Sequence, residues 1–186
     1  MGPDLYAEFP AIENMARISY GNSGYLRVGD ANHKTGKIAY ADSTFFDLFS
    51  FEVLRGNYRK ALSEPYSLVL TETLSQKMFG GQDPLGQVVS LNNDKELVVR
   101  AIAADPPPNS TITFDALISF STLYLYENVF LGWDGGYGYF TYIKTRKNSS
   151  LSQIYSSLGP FLEKHINQKY KPFGVELDLY FEPLSD

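Results

Sequence analysis

Residues 71–103 read TETLSQKMFGGQDPLGQVVSLNNDKELVVRAIA, and this stretch carries a clear succession of helix, turn and hairpin signals. Thr71 can cap a helix that continues through Met78, and the glycines at 80–81 provide the positive φ angles at which helices commonly end. In residues 83–86 (DPLG) the proline presets φ for a turn. The first half of the stretch therefore predicts a helix of eight residues followed by a turn.

The second half of the stretch predicts a β-hairpin. Residues 88–91 and 97–103 are rich in β-branched and aliphatic side chains, which favour strands. Between them, Asn92, Asn93 and Asp94 tolerate the backbone angles of a tight turn. Three prolines at 106–108 then end the second strand, because proline cannot donate to a sheet ladder.

Upstream of this stretch the sequence predicts a short helix and two strands. Leu5, Phe9 and Ile12 recur at helical spacing, and Pro10 fits the first turn of that helix. Residues 17–28 and 37–42 are strand formers separated by polar, glycine-containing turns.

Downstream, two alternating segments enclose a further strand and a helix. Residues 112–120 alternate apolar and polar side chains, as in a strand with one buried face, and residues 139–145 predict another strand. Ser150 and Gln153 match a capping box for a helix that Gly159–Pro160 should kink. Residues 175–182 alternate again, which predicts a terminal strand with one wet face.

These signals predict an α+β fold, a mixed sheet with short helices. With 186 residues, 44% of them hydrophobic and 15% aromatic, the chain can bury one sizeable core. We expect one domain over residues 1–186, in which a glycine- and aromatic-rich stretch forms a smaller lobe around residues 115–140.

Composition and charge exclude several classes of function. The net charge of −5 repels nucleic-acid phosphates, so no nucleic-acid partner is expected. The absence of cysteine excludes disulfides, thiolate zinc sites and cysteine nucleophiles. The longest charge-free apolar stretch, residues 116–126, is about half of the roughly 20 residues that cross a bilayer, and no signal peptide is visible.

No motif for catalysis, metal or cofactor binding emerges. Residues 36–38 lack the upstream glycine and the hydroxyl of a phosphate-binding loop. His33 and His165 lie far apart and without a ligand-like pattern, so we expect both at the surface. Carboxylate pairs such as Asp105 with Asp115 occur in any acidic domain. We therefore predict a non-enzyme with no catalytic residue, no metal and no cofactor.

The aromatic side chains around the single tryptophan are the candidate binding residues. Trp133, Tyr137 and Tyr139, with Tyr142 beyond them, could stack on sugar rings or anchor a protein partner, because aromatic rings desolvate large areas at low entropic cost. Packing within the core or a loop is the commoner role of such residues. We predict Trp133, Tyr137 and Tyr139 as a partner-binding set.

Several segments, taken in order, resemble a known family. Residues 41–49 (ADSTFFDLF) precede residues 54–56 (LRG), and then come 68–72 (LVLTE), 78–80 (MFG), 83–86 (DPLG), 98–102 (VVRAI) and 105–110 (DPPPNS). Their order and spacing resemble the MacB-like periplasmic core domain of FtsX/MacB-type ABC transporter permeases. The resemblance spans roughly residues 8–183. Ala101 and Ala103 depart from the glycine and valine that are usual in that family.

The resemblance implies a mechanical module with no chemistry of its own. In such families the domain lies outside the inner membrane, between two transmembrane helices, and a cytoplasmic ATPase subunit or domain supplies the energy for efflux or other transmembrane transport. It implies an inner-membrane protein with this domain in the periplasm, and chain ends that lie close together facing the membrane. The implied partners are that ATPase, a periplasmic accessory protein or lipoprotein, and a second permease in a dimer.

Two other functions remain open from the residues alone. A secreted, aromatic-rich module that binds carbohydrate or peptide would use Trp133 and its neighbours. A small hydrolase would need a carboxylate pair, and the sequence nominates none.

Overall fold

A mixed β-sheet forms the centre of the structure, a computed structural model that describes residues 1–127, 129–133 and 138–184. Within these residues the sheet has eight strands. They are β1 Ile12–Val28, β2 Ala31–Ala41, β3 Val53–Gly56, β4 Ser67–Thr71, β5 Val88–Leu91, β6 Lys95–Ala103, β7 Ala116–Ser119 and β8 Phe140–Thr145.

Short helices connect and cover these strands. They are α1 Gly2–Glu8, α2 Phe45–Leu48, α3 Glu72–Phe79 and α4 Leu151–Leu162. A 3-10 helix spans Phe120–Leu125, and α4 continues through a π-helical turn at Glu163–Asn167 and short turns at Gln168–Tyr170 and Lys171–Phe173. The predicted α+β class, a mixed sheet with short helices, is confirmed.

The strand order is β2-β7-β4-β6-β5-β1-β8, and β3 pairs with β6 beside this path. β1 also pairs with β2, so the pairings close a circuit that runs from β1 through β2, β7, β4, β6 and β5 back to β1. β2–β7 and β4–β6 are parallel pairs, and the other pairs are antiparallel.

Three apolar clusters stabilise the fold. One lies on the sheet face covered by α3 and includes Leu70, Met78 and Val99. A second lies on the opposite face, beneath α2, and includes Phe45 and Phe114. The third lies outside the sheet among α1, α4 and the chain's last residues. We call these three elements, residues 2–8, 151–173 and 175–184, the terminal layer.

β1 is the one strand that contributes to all three clusters. Ile12 belongs to the terminal layer, Ile18 to the α2 side of the sheet and Leu26 to the α3 side. Each of these side chains is almost fully buried. Since β1 has 17 residues, its length is roughly 50 Å at the rise of an extended chain. β1 therefore joins the terminal layer to both faces of the sheet.

The quoted stretch folds as predicted. The Thr71 side chain accepts a hydrogen bond from the backbone N–H of Leu74, which caps the eight-residue α3. Asn92 and Asn93 both have positive φ, 53° and 58°, as a two-residue hairpin turn requires. Gly86 also has positive φ, 78°, at the last position of the DPLG turn.

Two helix starts differ from the prediction. Pro10 lies after α1, because the helix begins at Gly2 and takes Pro3 into its first turn. Ser150 precedes α4, but its hydroxyl pairs with the Ser152 hydroxyl at 2.6 Å and makes no capping bond. α4 continues across Pro160, where the missing N–H removes the bond to the carbonyl four residues earlier. It changes to a π-helical turn at Glu163–Asn167.

Two predicted strands also differ. β7 is only four residues long and buried on both faces, because it lies between β2 and β4 inside the sheet. Residues 175–182 form no strand. They run extended along the terminal layer, with Leu177, Leu179 and Phe181 packed against it and the intervening residues exposed. The alternation of apolar and polar residues correctly identified the side chains that face inward, but it did not predict that the backbone of this segment makes no strand pairing.

Candidate functional site

The segment that follows β7 divides its apolar side chains between the core and solvent. Tyr126, Val129 and Leu131 pack against the sheet cluster on the α3 side. Tyr124, Leu125 and Phe130 point outward, and Phe130 is 75% exposed. An irregular backbone allows neighbouring side chains to point in different directions, because it lacks the regular period by which a helix or strand assigns its side chains to faces. We call these three outward side chains the aromatic ridge.

Trp133 lies at the end of this segment and packs into the terminal layer. Its ring stacks on His165 with centroids 4.9 Å apart and meets Phe161 edge-on at 5.5 Å. Its Nε1 donates a hydrogen bond to Asp4 Oδ2 at 3.0 Å. Trp133 therefore links the segment to both α1 and the C-terminal helix.

Tyr139 packs on the sheet side of the same region. Its ring meets Phe120 edge-on at 5.2 Å, and burial raises the pKa of its hydroxyl. Tyr137 lies outside the described residues. Of the three predicted partner-binding residues, the structure thus brings Trp133 and Tyr139 to one region, where both are partly buried.

A cavity of about 360 Å³ separates the sheet from the terminal layer, and Trp133 and Tyr139 both line it. The sheet side contributes Arg17, Phe120 and Thr141, and the terminal layer contributes Leu162 and residues 177–179. Met1 also borders the cavity. We call this space the junction cavity, because it lies where the two halves of the fold meet.

Arg17 and Asp178 are both charged residues of the cavity wall, and the charge of Arg17 is matched by Asp42. Arg17 Nε and Nη2 donate to the two carboxylate oxygens of Asp42 at 2.8 and 2.9 Å. Their side chains are only 12% and 17% exposed. Burial alone would lower the pKa of Arg17, but hydrogen bonding and charge from Asp42 outweigh it and raise the pKa.

Arg17 also holds the base of the aromatic ridge. Its Nη1 donates to the Tyr124 hydroxyl at 2.9 Å, and its guanidinium carbon lies 3.9 Å from the Phe120 ring centroid. A guanidinium over an aromatic face is an attractive arrangement. One side chain thus connects β1, the loop after β2 and the 3-10 helix.

A second polar cluster ties α1 to the C-terminal helix. Glu8 Oε1 lies 2.8 Å from Lys164 Nζ and 2.7 Å from His165 Nε2. The hydrogen bond from Lys164, followed by that from His165, lowers the pKa of Glu8. His165 was expected at the surface, but its side chain is only 17% exposed because it lies between Trp133 and Glu8.

The sequence reasoning missed Arg17, Asp42 and His165 as connecting residues. No local pattern marks a residue whose partners are 25 or more positions away. The described residues contain no group of three or more metal-ligating side chains and no helix long and apolar enough to cross a membrane.

Comparison with known proteins gives one family match. The family model described as MacB-like periplasmic core domain matches residues 2–160. This range includes β1, the sheet and the aromatic ridge, and ends within α4. No curated protein matches the chain significantly.

Three solved structures share this fold. A domain of a protein described as a permease from Porphyromonas gingivalis is 23% identical, with a TM-score of 0.79, covering 91% of this chain and 77% of that chain. The periplasmic region of MacB from Actinobacillus actinomycetemcomitans is 18% identical, with a TM-score of 0.64 and coverages of 87% and 71%. The extracellular domain of the ABC-type transporter YknZ from Gram-positive bacteria is 15% identical, with a TM-score of 0.59 and coverages of 94% and 84%.

Proposed function

This chain belongs to the family of MacB-like periplasmic core domains, and on that basis we propose that it couples a membrane-embedded permease to partners outside the membrane. In this proposal it is one domain of an inner-membrane protein and lies in the periplasm. ATP hydrolysis by a cytoplasmic subunit or domain would move the membrane helices, and this domain would pass the movement on. The family consists of permease domains and is not an enzyme class.

The observation that carries the proposal is the path of β1. A displacement of the terminal layer would act on Ile12 and would be transmitted along the same strand to Ile18 and then to Leu26. A paired strand resists bending, because a displacement must break ladder hydrogen bonds. β1 pairs with β8 over residues 12–18 and with β2 over residues 18–28, with register shifts between residues 19 and 24, and it also pairs with β5 at residues 26–27.

The positions of the chain ends agree with attachment from one side. Met1 and residues 177–179 line the same junction cavity, and Leu5 of α1 and Leu177, Leu179 and Phe181 pack in the same apolar cluster. Both ends thus belong to the terminal layer. The Arg17–Asp42 pair then anchors β1 at the point where this layer meets the sheet.

We assign partner contact to the aromatic ridge and its neighbours. Tyr139 packs on Phe120, whose ring meets that of Tyr124 in the ridge edge-on. Trp133 lines the same cavity as Tyr139 and packs on Phe161, and Tyr137 belongs to the same stretch of sequence. The outward side chains Tyr124, Leu125 and Phe130 offer apolar area to an accessory protein or lipoprotein. Large exposed aromatic and apolar side chains of this kind often mark protein contacts.

Leu125→Ser, combined with a photo-crosslinking residue in place of Phe130, is expected to weaken this contact while the domain stays folded. Both side chains are exposed, 54% and 75%, so the free energy of unfolding should change by no more than about 0.5 kcal/mol each. In the intact permease, a photo-crosslinking residue at position 130 should yield an adduct with an extracytoplasmic protein. The Leu125→Ser change should reduce that adduct about tenfold.

Val88 supplies the matched control, since it is 51% exposed but lies on β5, away from the ridge. A photo-crosslinker at Val88 should give no such adduct. Equal adducts at both positions, or none at position 130, would argue against the ridge as the contact surface.

A further inference from the structure

The last residues of the chain are extended but make no sheet ladder. Residues 175–184, which we call the tail, are held by two side chains instead. Asn167 Oδ1 accepts from the Leu177 N–H at 2.8 Å, and Asn167 Nδ2 donates to the Leu177 carbonyl at 2.9 Å. The Tyr155 hydroxyl accepts from the Phe181 N–H at 2.9 Å. The Leu179 N–H donates to Asp178 Oδ1 at 2.8 Å, so these bonds of the tail's backbone go to side chains and not to a neighbouring strand.

β8 has an edge that could pair with the tail. Within the described ranges β8 pairs with β1 alone, so its other edge carries unpaired N–H and C=O groups. A groove along this edge is lined by residues of β8 on one side and by residues 180–184 of the tail on the other. An exposed edge of this kind accepts a further extended segment readily.

The chain connectivity fixes the direction in which the tail would pair. Asn167 contacts Leu177 and Tyr155 contacts Phe181, so the tail runs antiparallel to α4. Thr141 borders both the junction cavity, with residues 177–179, and the groove, with residues 180–184, whereas Ile143 and Thr145 border only the groove. The tail thus runs parallel to β8. A strand, a helix and a second parallel strand form the standard crossover unit.

The side-chain faces also match. Ile143 of β8 packs into the terminal layer, and so do Leu177, Leu179 and Phe181 of the tail. The intervening residues, Asp178, Tyr180 and Glu182, lie on the opposite, wet face. Because side chains alternate along a strand, pairing in this register would move no apolar side chain to solvent.

We propose that residues 177–182 add to the free edge of β8 as a ninth, parallel strand, and that the tail alternates between this paired arrangement and the clamped one. Pairing would replace the side-chain bonds of Asn167 and Tyr155 by a backbone ladder. The consequence rests on the proposed function. The membrane attachment at the C-terminal end would act on the sheet directly when the tail is paired, and on α4 when the tail is clamped.

A cysteine pair tests the pairing in this 186-residue chain, which contains no cysteine of its own. In the paired register Lys144 and Glu182 are neighbours on the wet face, and adjacent strands place Cα atoms within the range that a disulfide needs. Lys144→Cys with Glu182→Cys should form a disulfide under mild oxidation at least tenfold faster than Lys144→Cys with Glu176→Cys. Glu176 is equally accessible but lies six residues earlier on the tail.

Hydrogen exchange supplies the second measurement. Oxidation of the 144–182 pair should slow amide exchange at least tenfold in residues 140–145 and 178–182. Equal disulfide rates for the two pairs would overturn the proposal, and so would a disulfide that leaves these amides exchanging at their reduced rates. Either failure would leave the permease assignment untouched, because both measurements concern the isolated domain.

Discussion

Replacing Phe45 by alanine is expected to lower the free energy of unfolding by about 3–5 kcal/mol, the range for a buried phenylalanine. Phe45 is fully buried and is the centre of the aromatic cluster beneath α2. Its ring contacts four others, those of Phe46, Phe49, Phe51 and Phe114, at centroid distances of 5.1–5.8 Å. Alanine would leave a cavity that these rings cannot fill. Denaturant unfolding followed by circular dichroism measures the loss.

Phe130→Ala is the control for this substitution. It removes the same ring from an exposed position, so the free energy of unfolding should change by no more than about 0.5 kcal/mol. Similar losses for Phe45→Ala and Phe130→Ala would show that the α2 cluster does not stabilise the fold as described.

Asp42→Ala is expected to cost about 3–5 kcal/mol, because it leaves the buried Arg17 charge without its partner. Asp42 accepts two hydrogen bonds from the guanidinium and one from the backbone N–H of Arg17. The loss should appear as a lower midpoint of denaturant unfolding. We also expect weaker protection of the β1 amides near residue 17, because β1 loses its anchor at the junction.

Two further variants separate the buried charge from other effects. Arg17→Met combined with Asp42→Ala removes both charges and should recover a large part of the stability. Asp83→Ala breaks the Arg55–Asp83 pair, in which both side chains are largely exposed, and should cost about 1 kcal/mol at most. An Asp42→Ala loss as small as that of Asp83→Ala would contradict a buried, anchoring ion pair.

Local signals predicted the elements whose structure is decided locally. The α3 helix formed as expected because Thr71 caps it and Gly80 ends it, and the β5–β6 hairpin formed because Asn92 and Asn93 accept positive φ. In each case the residues that fix the geometry lie within nine positions of one another. Such devices act in the same way whatever the rest of the chain does.

Elements that depend on distant partners were predicted less well. β7 has the alternation of a half-buried strand, but β2 and β4 lie on either side of it and the sheet is covered on both faces. The tail has the same alternation and found side-chain partners on α4. The alternation of apolar and polar residues indicates which side chains face inward, but it does not indicate whether a neighbouring strand is present for pairing.

The candidate site also combines residues that the sequence indicated with distant contacts that it could not indicate. Composition singled out Trp133 and Tyr139, and both lie at the junction cavity. Their support by Phe161, His165 and Phe120 depends on segments far away in the sequence. The family could be identified from the sequence because several weak segments occur in a fixed order, and no catalytic or ligand motif was needed.

The most direct test of the permease assignment is the location of this domain in cells that express the complete gene. Because the domain contains no cysteine, Gln82→Cys in the exposed turn after α3 would provide its single thiol. A membrane-impermeant maleimide should label position 82 while the inner membrane is intact, and the labelled protein should remain in the membrane fraction. Labelling only after the inner membrane is broken, or release of labelled protein in soluble form, would contradict the assignment.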